Sequence, residues 1–186
     1  MYIAESDVQE DGIAQLKEGS MISSKMAKAI NDQINRELYS AYLYLSMSAY
    51  FEDLSLKGFA GWFRVQYQEE VTHAMKFFDY LCEQGARMEL QAIDKPPANF
   101  KSPLAVFEQS LKHEQFVTKN IYALVDLAIK EGDHATNSFL NWYVDEQVEE
   151  EANASEIVAR IKLAGASQGA LLYIDKELGK RKAGGD

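Results

Sequence analysis

Apolar side chains recur at spacings of three and four along four long stretches of this chain, the spacing that gathers them on one face of an α-helix. The pattern predicts a first helix opening at a Ser23 or Ser24 N-cap and running to about Glu52. A second runs from about Lys57 to Gly85, where glycine can close it. Ser102-Pro103 reads as an N-cap followed by proline in the first turn, and opens a third helix to about Glu131. Gly132-Asp133 interrupts that pattern, and Asp133 caps a fourth helix to about Ala164, which Gly165 ends. A short apolar segment from Ala170 to Leu178 makes a fifth. No strand pattern competes, so the fold class is all-α. Residues 1–22 are polar, acidic and weakly patterned; they read as an N-terminal extension, a candidate for flexibility, ahead of one domain at 23–186.

Loop lengths then predict topology. The first-to-second and third-to-fourth connections are short, which makes each pair an antiparallel hairpin. The connector at 86–102 is different, and it holds all three prolines in or beside it: Pro96, Pro97 and Pro103. Fully extended it reaches ~56 Å, against ~42 Å for a helix of about 28 residues. It can therefore run the length of a bundle and start the third helix parallel to the second. Two hairpins joined by one long crossover is the layout of ferritin-like four-helix bundles.

The seams that should be wholly apolar are not. The first reads Ile30, Ile34, Glu37, Ala41, Tyr44, and the second Phe59, Phe63, Gln66, Glu70, His73, Phe77. The third reads Phe107, Leu111, Glu114, Thr118, Ile121, Val125, and the fourth Phe139, Tyr143, Glu146, Glu150, Asn153, Ile157. Each helix thus carries a glutamate on its seam, away from its ends. A buried, unpaired carboxylate costs several kcal/mol, and no lysine or arginine occupies these stripes. Bound cations would compensate. Glu70 and His73 form the Glu-x-x-His spacing of carboxylate-bridged bundles. Several carboxylates with one imidazole suit iron or manganese; structural zinc would ask for cysteine or more histidine, and magnesium or calcium would not need the imidazole. Tyr44 lies two turns from Glu37 on the same face and belongs beside the site, whereas Tyr39, Tyr42 and Tyr50 fill interfaces. His113 points about 100° away from Glu114 and reads as a surface residue, His134 as structural or pore-proximal, and Glu151 as part of a solvated acidic face.

Composition narrows the class. Against 19 basic residues stand 29 acidic ones, a net charge of −10 that argues against a nucleic-acid partner and suits a protein that gathers cations. The single cysteine, Cys82, rules out an intrachain disulfide or Cys-based metal site and fits a reducing cytoplasm. Neither a membrane-spanning run nor a secretory signal is expected.

Four segments carry a family resemblance. Asn35-Arg36-Glu37-Leu38-Tyr39-Ser40-Ala41-Tyr42-Leu43-Tyr44-Leu45, Glu69-Glu70-Val71-Thr72-His73-Ala74, His113-Glu114 and Trp142-Tyr143-Val144-Asp145-Glu146-Gln147-Val148-Glu149-Glu150-Glu151 resemble the four helices of the non-haem ferritins of bacteria and archaea. The resemblance spans about residues 22–180. It implies that Glu37, Glu70 and His73 hold one iron, with Glu70 bridging, and that Glu114 and Glu150 complete the second, with Gln147 close by. It implies a third iron site at Glu69, Glu146 and Glu149 with Glu150 shared, and makes Tyr44 the tyrosine beside the di-iron centre. It further implies oxidation of Fe(II) by O2 or peroxide and mineral storage in a homo-oligomeric 24-subunit cage. Where bacterioferritins and rubrerythrins have a second Glu-x-x-His, this chain has Gln147-Val148-Glu149-Glu150, so the second iron lacks an imidazole and is held more weakly. That favours transient iron over a resident centre and counts against a rubrerythrin-like di-iron peroxidase. The negative charge and a complete ligand set within one chain count against a DNA-protecting mini-ferritin. Haem is not indicated.

Overall fold

The computed structural model describes residues 21–181. It contains α1 (Ser24–Asp53), α2 (Lys57–Glu83), α3 (Pro103–Glu131), α4 (His134–Ala164) and α5 (Gln168–Leu178). Helix starts follow local chemistry. Ser23 Oγ accepts from the Met26 amide, Ser102 Oγ from Ala105 with Pro103 in the first turn, and Asp133 from Thr136. Gly85 and Gly132 take the left-handed conformation (φ 77° and 67°) as α2 and α3 end, where a side chain would be strained. No helix among the described residues is long and apolar enough to cross a membrane.

α1 packs on α2, α3 on α4, and α1 on α3, while α5 seats against α2 and α4. The crossover can be followed along α1. Asn31 bonds the backbone of Glu89, Asn35 Nδ2 donates to Ala92 O, Ser46 Oγ donates to Pro97 O, and the Tyr50 ring meets Phe100 at 5.2 Å. The connector therefore climbs α1 from one end to the other, as its length requires, and delivers α3 parallel to α2.

The core is divided. One apolar cluster, built around Met26, Ile30, Phe77, Ile121, Leu140 and Tyr143, fills one end of the bundle. A second, dominated by Phe51, Phe59, Phe63 and Phe107 in mutual ring contact, fills the other. Between them lies a layer of buried polar residues: Glu37, Ser40, Gln66, Glu70, His73, Ser110, Glu114, Thr118, Gln147 and Glu150.

Two sequence expectations change here. Ile22 belongs to the first cluster and the Met21 amide bonds Gln84 O at 3.0 Å, so the folded body starts before residue 23. Residues 1–20 of the expected extension lie outside the described residues. In α4 the buried seam is Tyr143, Gln147, Glu150, Ala154 and Ile157, with Glu146 half-buried beside it. The sequence reading had slipped by one position over that turn.

α2 lacks a cap of its own, because Leu56 precedes it. Asp175 of α5 supplies one across the fold, accepting from the Phe59 amide at 2.8 Å. Gly58 makes that approach possible: a Cβ there would lie 1.7 Å from Asp175 O. Asp175→Ala should cost about 1 kcal/mol of stability, or ~2–4 °C in melting temperature for a chain this size. Gly58→Ala should cost more, although alanine favours helix; a melting temperature raised by Gly58→Ala would show that α5 does not dock there.

Candidate metal centre

The polar layer is assembled from all four long helices. Glu37 (α1), Glu70 and His73 (α2) are fully buried, and their ligand atoms lie within 4.8 Å of one another. Glu114 (α3) and Glu150 (α4) join the layer at 1% and 4% exposure. Every one of the five is turned inward by the seam position that the sequence spacing assigned to it.

No lysine or arginine enters the middle of this layer, and the carboxyl groups show the consequence. Burial pushes Glu37 up to about 8, with the Glu70 charge adding to the shift. Burial likewise holds Glu70 and Glu114 well above the carboxylate range, and the Glu150 charge raises both further. Glu150 itself is raised by burial. Each is shifted towards its protonated form because clustered charge in a low-dielectric core cannot be hydrated.

Two buried atoms are left open, one of them on a carboxylate. Among the described residues only Glu70 Oε2 and Ser110 Oγ are buried side-chain atoms without a hydrogen-bond partner. His73 Nδ1 stands 3.7 Å from Glu70 Oε2, too far to satisfy it. A buried acceptor without a donor is costly. A cation between Glu37, Glu70 and His73 would satisfy it, so the donor set fits a metal.

The other carboxylates are held by neighbours. Tyr44 donates its hydroxyl to Glu114 Oε1. Gln147 Nε2 sits 3.3 Å from Glu114 Oε2 and 3.2 Å from Thr118 Oγ1. Tyr143 donates to His73 O at 2.8 Å and stacks on Phe77, which fixes the turn carrying the imidazole.

Two glutamine relays were not legible in the sequence. Gln33 donates to Glu37 Oε1 at 2.8 Å while its own oxygen accepts from Arg36. Gln66 donates to Glu150 Oε2 at 2.8 Å while its oxygen accepts from Arg181, which follows α5. In both, arginine on the amide oxygen leaves only the amide N–H to face the carboxylate. Gln66 was visible on its seam, but nothing local announced that residue 181 would reach it.

The expected third-site residues are placed nearby. Glu69 and Glu146 are half-buried and Glu149 is exposed; Glu146 Oε1 lies 3.9 Å from His73 Nε2. Two readings are corrected. His113 is half-buried, bonded to Ser40 Oγ at 2.8 Å and packed against Tyr39 and Tyr44, and burial lowers its imidazole to about 4. Its aromatic neighbours and Ser40 take up the face that the sequence assigned to solvent. Glu151 is half-buried and accepts from Thr118 at 2.6 Å instead of lining a free acidic face. His134 opens α4 at the surface.

Two hairpins joined by one crossover, with carboxylates and one imidazole buried at mid-bundle, define a ferritin-like carboxylate bundle. The ferritin-like domain model matches residues 27–164, and the chain belongs to this family. It is 47% identical to a bacterial non-heme ferritin of Bacteroides fragilis over 87% of this chain and 100% of that protein. It is 41% identical to the Staphylococcus aureus bacterial non-heme ferritin, over 87% of this chain and 97% of that one. Among solved structures it resembles an open-pore ferritin from the hyperthermophilic archaeon Archaeoglobus fulgidus, at 55% identity and a TM-score of 0.87, covering 88% and 99% of the two chains.

The raised carboxyl groups make metal-free stability depend on pH. With Glu37 at about 8 in the fold and 4.5 ordinarily, the folded chain keeps a proton that the unfolded chain loses between those values. That stabilisation is full below pH 4.5 and is lost as pH rises towards 8. In chelator, the melting temperature of Glu37→Gln should therefore gain on the parent from pH 4.5 to about 8 and level off above. A difference between the two proteins that stays constant across this range would remove the assignment.

Proposed function

We propose that this chain is an iron-storage ferritin subunit with ferroxidase activity, oxidising Fe(II) at a two-iron centre within each subunit. What carries the reading is the buried Glu37–Glu70–His73 group with one carboxylate oxygen unsatisfied, lying in a polar layer between two apolar clusters. Glu37, Glu70 and His73 take the first Fe(II), with Glu70 shared, and Glu114 and Glu150 take the second, with Gln147 beside it. Glu69, Glu146, Glu149 and the shared Glu150 make the third iron site.

The residues divide the work. Binding of Fe(II) opposes the protonation that burial favours at Glu37, Glu70 and Glu114, so uptake strengthens as pH rises. Each Fe(II) gives up one electron; O2 takes two, with two protons, and leaves as hydrogen peroxide. Tyr44 and Gln147 fix the Glu114 carboxylate, while Gln33 and Gln66 fix Glu37 and Glu150. Because the second ion finds carboxylates and no imidazole, it is the more weakly held and passes on.

Storage needs an enclosed volume, which one bundle does not provide. Leu163, Leu172 and Tyr173 around α5 are 90%, 57% and 64% exposed, an apolar surface suited to burial between copies. Closed symmetry repeats such contacts, and the proposed assembly is the 24-subunit cage. From 24 copies of a 21.0 kDa chain it weighs roughly half a megadalton.

The decisive experiment is stopped-flow Fe(II) oxidation by His73→Ala and Glu70→Ala, each confirmed as an intact assembly. Both should lose the fast phase by at least ~100-fold, the scale on which removal of metal-site residues acts; parental rates in both would overturn the assignment. Crystals soaked in metal should show two ions ~3.5–4 Å apart in the layer. Replacing Glu69, Glu146 and Glu149 by alanine should spare the first two-iron turnover and change its stoichiometry or later transfer, and identical early and late phases would exclude a third site there. Native mass spectrometry giving only monomer or dimer would contradict storage.

A further inference from the structure

The proposed third site already contains a cation supplied by the chain itself. Along one side of α2, Gly58, Trp62, Gln66 and Glu69 follow one another at intervals of about one turn. The segment after α5 lies along this track. Gly179 packs so closely on Gly58 that a Cβ on it would come within 2.9 Å of Gly58 Cα. Two residues on, the Arg181 guanidinium lies 5.2 Å from the Trp62 ring, donates to Gln66 Oε1, and bonds Glu69 Oε2 at 2.8 Å. Both members of that ion pair are only 25% exposed. Through Gln66, whose amide donates to Glu150 Oε2 at 2.8 Å, the same guanidinium also reaches the carboxylate shared by the second and third sites.

We propose that Arg181 is an internal gate on the third iron site: its guanidinium occupies Glu69 until a metal ion displaces it. The inference rests on the two-iron reading above. A carboxylate oxygen engaged by a guanidinium is lost to a metal, and a divalent ion beside the fixed positive charge is repelled. An ion that takes Glu69 Oε2 must therefore break the Arg181–Glu69 pair. The third site then fills after the two inner sites, and only at the expense of the tail contact. When Arg181 leaves, the Gln66 oxygen loses its anchor and the hold on Glu150 relaxes. Loading of the third site is thereby linked to the second-site ligand from which iron must move on. Arg181 is a positioning residue that need not touch the reacting ions.

The test is an anaerobic calorimetric titration of the assembled full-length protein with Zn(II), which binds without redox chemistry. In the parent, two tighter sites and one weaker site per subunit are expected. Arg181→Gln should leave the tightest site unchanged, alter the second through the released Gln66–Glu150 bond, and strengthen the weakest about tenfold, the equilibrium equivalent of one charge-assisted hydrogen bond. Glu69→Gln should remove it. In a Trp142→Phe background, Trp62 emission should change as the weakest site fills, and that change should be absent from Arg181→Gln. A third Zn(II) bound equally by parent and Arg181→Gln, or Trp62 emission indifferent to it, would overturn the gate. If the two tighter sites are present and respond to Glu37→Gln, such a failure leaves the two-iron reading standing. Their absence in the parent would sink both.

Discussion

Everything in this bundle is arranged around carboxylates that the fold buries without a matching charge. Concentrating Glu37, Glu70, Glu114 and Glu150 in a dry layer opposes folding as charged groups, and burial accordingly shifts all four carboxyl groups upward. The layer can exist because apolar packing at both ends outweighs it. The cluster around Phe51, Phe59, Phe63 and Phe107 and the one around Met26, Ile30, Phe77 and Ile121 clamp the four helices above and below. Each large side chain buried there contributes on the order of 1.5–3 kcal/mol, so a few of them offset one uncompensated carboxylate. The division of the core is the means by which the polar layer is held together at mid-bundle.

The neighbours of the site follow from the same constraint. A lone buried carboxylate would rotate towards any donor, so each is bound by a group that is itself fixed. Tyr44 and Gln147 hold Glu114, and the arginine-anchored amides of Gln33 and Gln66 hold Glu37 and Glu150. Glu70 differs in keeping one oxygen free of hydrogen bonds, which suits a ligand placed to bridge. Preorganisation of this kind, with carboxyl groups clustered against their preference for water, exchanges stability of the metal-free fold for a ready-made donor set.

α5 ties the surface to this interior. It caps α2 through Asp175, presents Leu172 and Tyr173 outward, and sends Arg181 back along α2 to the acidic cluster. The segment after α5 and the buried Glu150 carboxylate are thus joined by one guanidinium and one amide.

The sequence by itself determined the helices, the caps of α1, α3 and α4, the crossover and the seams of α1 to α3, because these rest on local chemistry and on a period of 3.6 residues. Glu37, Glu70, His73 and Glu114 were legible for that reason: each interrupts a strong apolar stripe. In α4 the stripe is weaker, and the choice between Glu146 and Gln147 fell to the tertiary structure, which turns Gln147 towards Glu114 and Thr118. Packing also decided that His113 is enclosed by Ser40 and aromatic rings, and that Glu151 is held by Thr118. The Asp175 cap and the Arg181–Gln66–Glu150 relay join residues more than eighty positions apart. Periodicity fixes which face of a helix turns inward; what that face meets depends on how the elements dock, and no local pattern encodes it.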